Sequence, residues 1–345
     1  MKPVRITNRY VHGAVSLERT EGGLKPWRLP YRQRLLFPSP NDGLVNAMAL
    51  PDGIRLMFET DSRVVEVGMA PRAGAHDAPQ PLLDLVIGGD LVRTEPWPWG
   101  SESVRFVDLP AGPKTCEVWL PHRGLAGVGL VLKRLLVEDG ASIRPVADER
   151  PRWIAYGSSI TQCSGAHSPA RTWPAVAARR HGLALTCLGF GGQCHMDPML
   201  ARMIRDLPAD VITLKVGINV QGGSSLSPRT FKAAVIGMVQ IIREKHKQVP
   251  IGLISPIVSP PREKTPNAVG LTLEAMRAEI EDAARRIRDA TGDERVLYFS
   301  GLDLFGPELV GPRLPDNLHP DGDGYEILGR NAAERLLPVL LAMRG

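Results

Sequence analysis

The chain is poor in cysteine and in aromatic residues, with four cysteines (Cys116, Cys163, Cys187, Cys194) and 5% Phe, Trp and Tyr in 345 residues. Four thiols are too few to staple a chain of this length, which excludes a disulfide-held scaffold. Cys163 and Cys194 also lack the paired spacing of a zinc or redox motif, and ordinary semi-buried thiols are the expectation. No stretch approaches the ~18 uncharged apolar residues of a membrane helix. The opening MKPVRITNRYVHGAV has no apolar run of roughly 7–15 residues, as a secretory signal would need. A cytoplasmic protein with no membrane partner is therefore expected. Long Lys/Arg blocks are missing too. The net charge is +5, but basic residues come in short pairs such as Arg179–Arg180 and Arg285–Arg286. This reads as a modestly basic surface and not as a nucleic-acid footprint. No His/Asp/Glu cluster has metal spacing.

What the chain does have is enough apolar residue, 43% against 23% charged, to bury sizeable cores, and a length that fits two domains. The two halves are punctuated differently. Residues 1–148 are cut by turn clusters at 38–42, 50–53, 71–81 and 110–114, with short period-two runs between them. Ile54, Leu56 and Phe58 alternate with Arg55, Met57 and Glu59; Cys116, Val118 and Leu120 alternate with Glu117 and Trp119. With no convincing helix, this predicts an antiparallel β-sandwich, jelly-roll-like, as an accessory domain. Residues 149–345 alternate strand and helix. Apolar strand-like runs fall at 153–156, 183–188, 211–216, 251–257 and 296–299. Ser227-Pro228 reads as an N-cap and first-turn proline, Phe231, Val235, Met238 and Ile242 as one helical face, and Leu273, Met276, Ile280 and Ile287 as another, stopped at Gly292. Asp323, three before Glu326, reads as the start of a last helix. The class expected is α/β, with a doubly wound five-stranded parallel sheet.

In such a sheet, function sits beyond the carboxyl ends of the strands. The first strand ends in Gly157-Ser158-Ser159-Ile160-Thr161, where a serine hydroxyl is either exposed for chemistry or simply caps a helix. The second runs into Gly189-Phe190-Gly191-Gly192-Gln193, either a plain turn or a loop whose N–H groups hold an anion. A dinucleotide fingerprint fails there, because Cys194 occupies its third glycine. The third ends in Gly217-Ile218-Asn219, a turn or a side-chain amide aimed at the same point. The last loop, Asp316-Asn317-Leu318-His319, allows a carboxylate to orient an imidazole whose other nitrogen takes a hydroxyl proton. A nucleophilic serine needs a base, the base an orienter and the oxyanion its donors. Ser159, His319 and Asp316 supply the first three, and Ser159 N–H, Gly192 N–H and the Asn219 amide supply the donors. An α/β-hydrolase does not fit: Thr161 stands where the second glycine of Gly-x-Ser-x-Gly belongs.

These four blocks, in this order over roughly residues 150–343, resemble those of the SGNH/GDSL hydrolases, a superfamily of serine esterases and acyltransferases. Gly157-Ser158-Ser159-Ile160 is similar to Gly-Asp-Ser-Leu and implies Ser159 as nucleophile. Gly192 and Asn219 match the oxyanion residues of the second and third blocks, and Asp316/His319 the final pair. Ser158, Cys187 and Val220 depart from the usual Asp, Asn and Asp. The Gly-Ser-Ser-Ile-Thr form resembles a subgroup with an N-terminal β-sandwich, which includes carbohydrate-esterase-like enzymes and a polyketide acyltransferase. The resemblance implies a flavodoxin-like catalytic domain and a cofactor- and metal-independent carboxylic ester hydrolase, removing small acyl groups from a sugar or other hydroxylated small molecule. Two alternatives stand beside it: an acyltransferase using the same acyl-enzyme, and a carbohydrate-binding module joined to a silent hydrolase domain. His195 reads as a substrate contact or a helix-start residue, the segment Ser259–Pro266 as a substrate-shaping loop or a solvated connection, and Trp97 and Trp99 as sugar platforms or core.

Overall fold

The computed structural model describes residues 1–70, 79–125 and 129–344. Most of the turn cluster read at 71–81 lies outside the described residues. The chain divides into two compact units: Met1–Arg150 with Ser168–Ala170, and Pro151–His167 with Arg171–Gly345.

The first unit is built on two antiparallel sheets. One has the strand order 16–20, 23–27, 132–137, 65–69, 103–106, with Lys2–Arg5 also pairing on Leu132–Val137. The other has the order 143–145, 55–60, 114–119, 82–87, 90–96, with Val11–His12 pairing on Arg55–Thr60. Their apolar faces meet in one core that includes Leu56, Phe58, Val67, Leu85, Phe106, Val118 and Leu135. This is the antiparallel sandwich expected from the period-two runs.

The residues that alternate with the apolar positions at 54–59 and 116–120 do not all face water: Arg55, Met57, Glu117 and Trp119 are buried as well. Charge pairing makes this tolerable. Arg55 lies 2.6 Å from Asp148 and 3.3 Å from Glu117, its guanidinium sits 5.3 Å from the Trp119 ring, and Arg150 contacts both acids. Burial opposes ionisation of Asp148, but Arg150 and Arg55 hold its carboxyl down at about 2. A short helix, Gly43–Met48, also appears where none was expected. It buries only Leu44, Ala47 and Met48, too few positions to set up a visible 3.6-residue period.

The second unit is a five-stranded parallel sheet: β1 (Arg152–Gly157), β2 (Ala184–Gly189), β3 (Val211–Lys215), β4 (Ile251–Ile254) and β5 (Val296–Phe299), in the order β2-β1-β3-β4-β5. Central strands buried on both sides read as continuous apolar runs, and all five residues of β3 and all four of β4 are buried. Helices Trp173–Arg180, Pro198–Asp206, Pro228–Arg243 and Leu273–Thr291 connect the strands. Ser227 and Thr230 form a capping box at the third of these. Gly292 ends the fourth in the left-handed conformation, φ +68°. The last helix begins two residues earlier than expected: Asp321 is its N-cap, accepting from Gly324 N–H at 2.7 Å, and Asp323 sits in its first turn. Asp323 instead meets His167 at 2.9 Å and Arg313 at 2.8 Å.

Candidate active site

Strands β1, β2 and β3 end flush, Gly157 opposite both Gly189 and Lys215. The chain therefore leaves all three strands at one level. After β1 it turns into the short helix Ser159–Gln162. Ser158, in the place of the usual aspartate, is fully buried and caps this helix by accepting from Ile160 N–H at 3.2 Å. Ser159 is the first helical residue, so its N–H belongs to the orphan donors of a helix start.

Ser159 Oγ lies 2.9 Å from His319 Nε2, and His319 Nδ1 lies 2.7 Å from Asp316 Oδ2. The other carboxylate oxygen, Oδ1, accepts the backbone N–H groups of Leu318 at 2.9 Å and His319 at 2.6 Å. Burial works against the charge, but these backbone and side-chain bonds to His319 and Leu318 hold the Asp316 carboxyl below its ordinary range. The turn between them passes through Asn317 in the left-handed conformation, φ +59°.

The second loop lies against the first. Phe190 N–H donates to Gly157 O at 2.8 Å, and Gly191 N–H to the side-chain oxygen of Gln162 at 2.8 Å. A Cβ at Gly191 would lie 2.7 Å from that oxygen and 3.7 Å from Ser159 Cβ. Gly192 follows at φ +69°, a conformation that favours glycine. Its carbonyl accepts from His195 Nε2 at 3.0 Å, while His195 Nδ1 meets Ser225 Oγ at 2.7 Å. His195 thus ties the glycine loop to the segment after Asn219. At Asn219, Oδ1 accepts the Cys194 backbone N–H at 3.0 Å, which fixes the amide plane and leaves the Nδ2 hydrogens to other acceptors.

The thiols are more buried than expected. Cys163, Cys187 and Cys194 expose 0–3% of their surface. Burial pushes the Cys194 thiol up to about 12, which keeps it a neutral thiol at physiological pH. Trp97 is core, with Nε1 donating to Ser101 O at 2.9 Å, and Trp99 is half-buried. Among the described residues no group of His, Cys, Asp and Glu is arranged to hold a metal ion. No helix among them is long and apolar enough to cross a membrane. Gln162 and the backbone of Cys194 escape sequence reading, because their contribution is a hydrogen bond across loops and leaves no spacing signal.

The doubly wound sheet, with a serine, a histidine and an aspartate joined in line at its carboxyl edge, defines the class as the SGNH-type serine esterases. The family model described as "GDSL-like Lipase/Acylhydrolase family" matches residues 155–327, and that described as "SsfX3, N-terminal domain" matches residues 9–126. The chain belongs to the GDSL-like lipase/acylhydrolase family and is an enzyme of that class. Among solved structures it is similar to the salicylyl-acyltransferase SsfX3 from a tetracycline biosynthetic pathway, with 34% identity, TM-score 0.88 and coverage of 100% of this chain and 99% of that one. A putative GDSL-like lipase from Bacteroides ovatus follows at 19% identity and TM-score 0.75, covering 96% and 95%. A family two carbohydrate esterase from Clostridium thermocellum, solved with cellohexaose, shares the fold at 12% identity and TM-score 0.66, covering 85% and 94%. A comparison with curated proteins found no match.

Proposed function

We propose that this enzyme cleaves carboxylic esters through an acyl-enzyme on Ser159. The observation that carries the reading is the hydrogen-bonded line Ser159 Oγ–His319 Nε2, 2.9 Å, and His319 Nδ1–Asp316 Oδ2, 2.7 Å. Ser159 donates its hydroxyl proton to His319 as the oxygen attacks the ester carbonyl. Asp316 accepts from Nδ1–H, which fixes the tautomer and stabilises the imidazolium that forms. The backbone N–H groups of Ser159 and Gly192 and the Asn219 amide receive the oxyanion. His319 then passes the proton to the departing alcohol. Water attacks the acyl-enzyme in the second half, with His319 as base again. None of these steps uses a metal or cofactor. We assign residues 149–345 as the catalytic domain and 1–148 as an accessory domain.

The substrate class we infer is a small acyl group on a sugar or similar hydroxylated small molecule. The imidazole of His319 and the carboxylate of Asp316 keep 34% and 53% of their side-chain surface exposed. A leaving alcohol protonated by His319 therefore departs into water, which suits a polar alcohol. A second reading is favoured by the full-length similarity to SsfX3: an alcohol in place of water would turn the same acyl-enzyme into an acyltransferase. A carbohydrate-binding protein with a silent catalytic domain is disfavoured by the intact serine–histidine–aspartate line.

The test is turnover of 4-nitrophenyl acetate, longer-chain and aryl esters by wild type and Ser159→Ala, with and without a polyol. Nitrophenol release that vanishes in the variant supports the serine mechanism. New ester formed with the polyol, at the expense of free acid, supports the acyltransferase reading. Equal rates in both proteins overturn the proposal.

A further inference from the structure

The turn that carries Asp316 and His319 contains a left-handed asparagine whose peptide is gripped by a buried serine. Ser259, 1% exposed, donates its Oγ–H to the carbonyl of Asn317 at 2.7 Å. The direction of that bond is fixed. Arg262 Nη1 lies 3.0 Å from Ser259 Oγ and can only donate, so the one serine proton goes to Asn317. Ser259 is itself anchored: its N–H donates to Glu263 Oε1 at 2.8 Å. Glu263 meets Arg277, 7% exposed, at 2.6 Å and 2.9 Å. Arg277 also donates to the carbonyls of Pro256 and Ile257, just past β4, at 3.0 Å and 3.2 Å. A continuous polar strut therefore runs from the helix Leu273–Thr291 through Glu263 and Ser259 to the peptide between Asp316 and His319.

We propose that Ser259 is a positioning residue for the His319–Asp316 pair, holding the Asn317 peptide in its left-handed conformation. The conformation matters for a geometric reason. With Asn317 at φ +59°, one Asp316 oxygen accepts the backbone N–H groups of Leu318 and His319, and the other is left for His319 Nδ1. An asparagine adopts this conformation more readily than most residues but does not prefer it. Both Asp316 and His319 are partly exposed, so little packing holds the turn from the solvent side. The strut supplies the restraint from within. The segment Ser259–Pro266 thereby acts on the base, and not first of all on the substrate.

The inference rests on the catalytic reading above, and the two fail differently. An inactive wild type, or an active Ser159→Ala variant, defeats that reading. The experiment here compares Ser259→Ala, Ser259→Thr and the double variant Ser259→Ala/Asn317→Gly on 4-nitrophenyl acetate. Loss of the grip is expected to lower kcat about tenfold or more with KM within about twofold, and to broaden the low-field Nδ1–H proton signal of His319. The threonine variant keeps the hydroxyl and recovers most of kcat. The double variant also recovers, because glycine takes the left-handed conformation unaided. Wild-type kcat in Ser259→Ala overturns the proposal, as does KM rising in step with the loss, or a double variant no better than the single one. If Ser259→Ala does not fold, a folded double variant decides: active supports the strut, inactive overturns it.

Discussion

Gly191 spends its backbone N–H on the side-chain oxygen of Gln162, 2.8 Å away, so that N–H is already committed within the loop. In the mechanism proposed above the oxyanion donor is the next residue, Gly192, at φ +69°. Replacing Gln162 by leucine keeps the bulk but leaves Gly191 N–H without its partner. The expected result is a kcat lower by roughly tenfold, since misplacing a donor by a fraction of an ångström weakens it where charge develops. Steady-state kinetics alongside thermal melting checks this; a loss of stability with unchanged kcat contradicts it.

Asn219 is held by Cys194 N–H through its oxygen, and in the proposed mechanism its amide nitrogen donates to the oxyanion. Asn219→Ala should cost on the order of 10²–10³ in kcat with little change in KM, the signature of an interaction formed in the transition state. Asn219→Asp, which presents oxygen where a donor is needed, should be at least as poor.

Buried thiols make a negative prediction. Because Cys163 and Cys194 are buried and the Cys194 thiol is pushed up to about 12, iodoacetamide should leave esterase activity intact in the native enzyme. Rapid inactivation that substrate protects against would place a cysteine in the chemistry.

Lys215, at the end of β3, gives a pH-dependent prediction. Burial, with the Arg277 charge adding to it, lowers this lysine to about 8 against the favourable influence of Cys194 and Cys163. In the unfolded chain a lysine holds its proton up to about 10.4. Between these values the unfolded state binds more protons, so this group makes stability rise with pH. Below pH 8 the cost of the buried charge is present in full, at most about 3 kcal/mol. Lys215→Met should therefore be more stable than wild type at pH 7. The gap in urea midpoints should narrow as the pH is raised toward 10. A gap independent of pH would show that burial does not lower the pKa of Lys215 on folding.

The catalytic half of the chain was legible because buried parallel strands write continuous apolar runs and the site residues follow them directly. Trp153–Tyr156 leads to Ser159, Leu183–Leu188 to Gly192, and Val211–Val216 to Asn219. Ser227 and Gly292 mark helix ends by side-chain and backbone chemistry that leaves a local trace. The start of the last helix was misread because Asp321 and Asp323 are equally good caps by type. Only the turn out of Pro320 decides, and it gives Asp321 the Gly324 N–H. Burial on the outer face of the sandwich is illegible for a different reason. Arg55 and Glu117 look solvated in any local pattern, and their burial depends on Asp148 and Arg150, some 30 to 95 residues away. The struts around the site, Gln162 to Gly191 and Ser259 to Asn317, are of the same long-range kind.

The mechanism turns on a covalent acyl-enzyme at Ser159. Intact-protein mass spectrometry after rapid acid quench of the enzyme with an aryl 4-nitrophenyl ester tests it most directly. One added acyl mass, mapped by peptide digestion to Ser159 and absent in Ser159→Ala, is the predicted result. Burst release of nitrophenol with no adduct, or an adduct on any other residue, would contradict it.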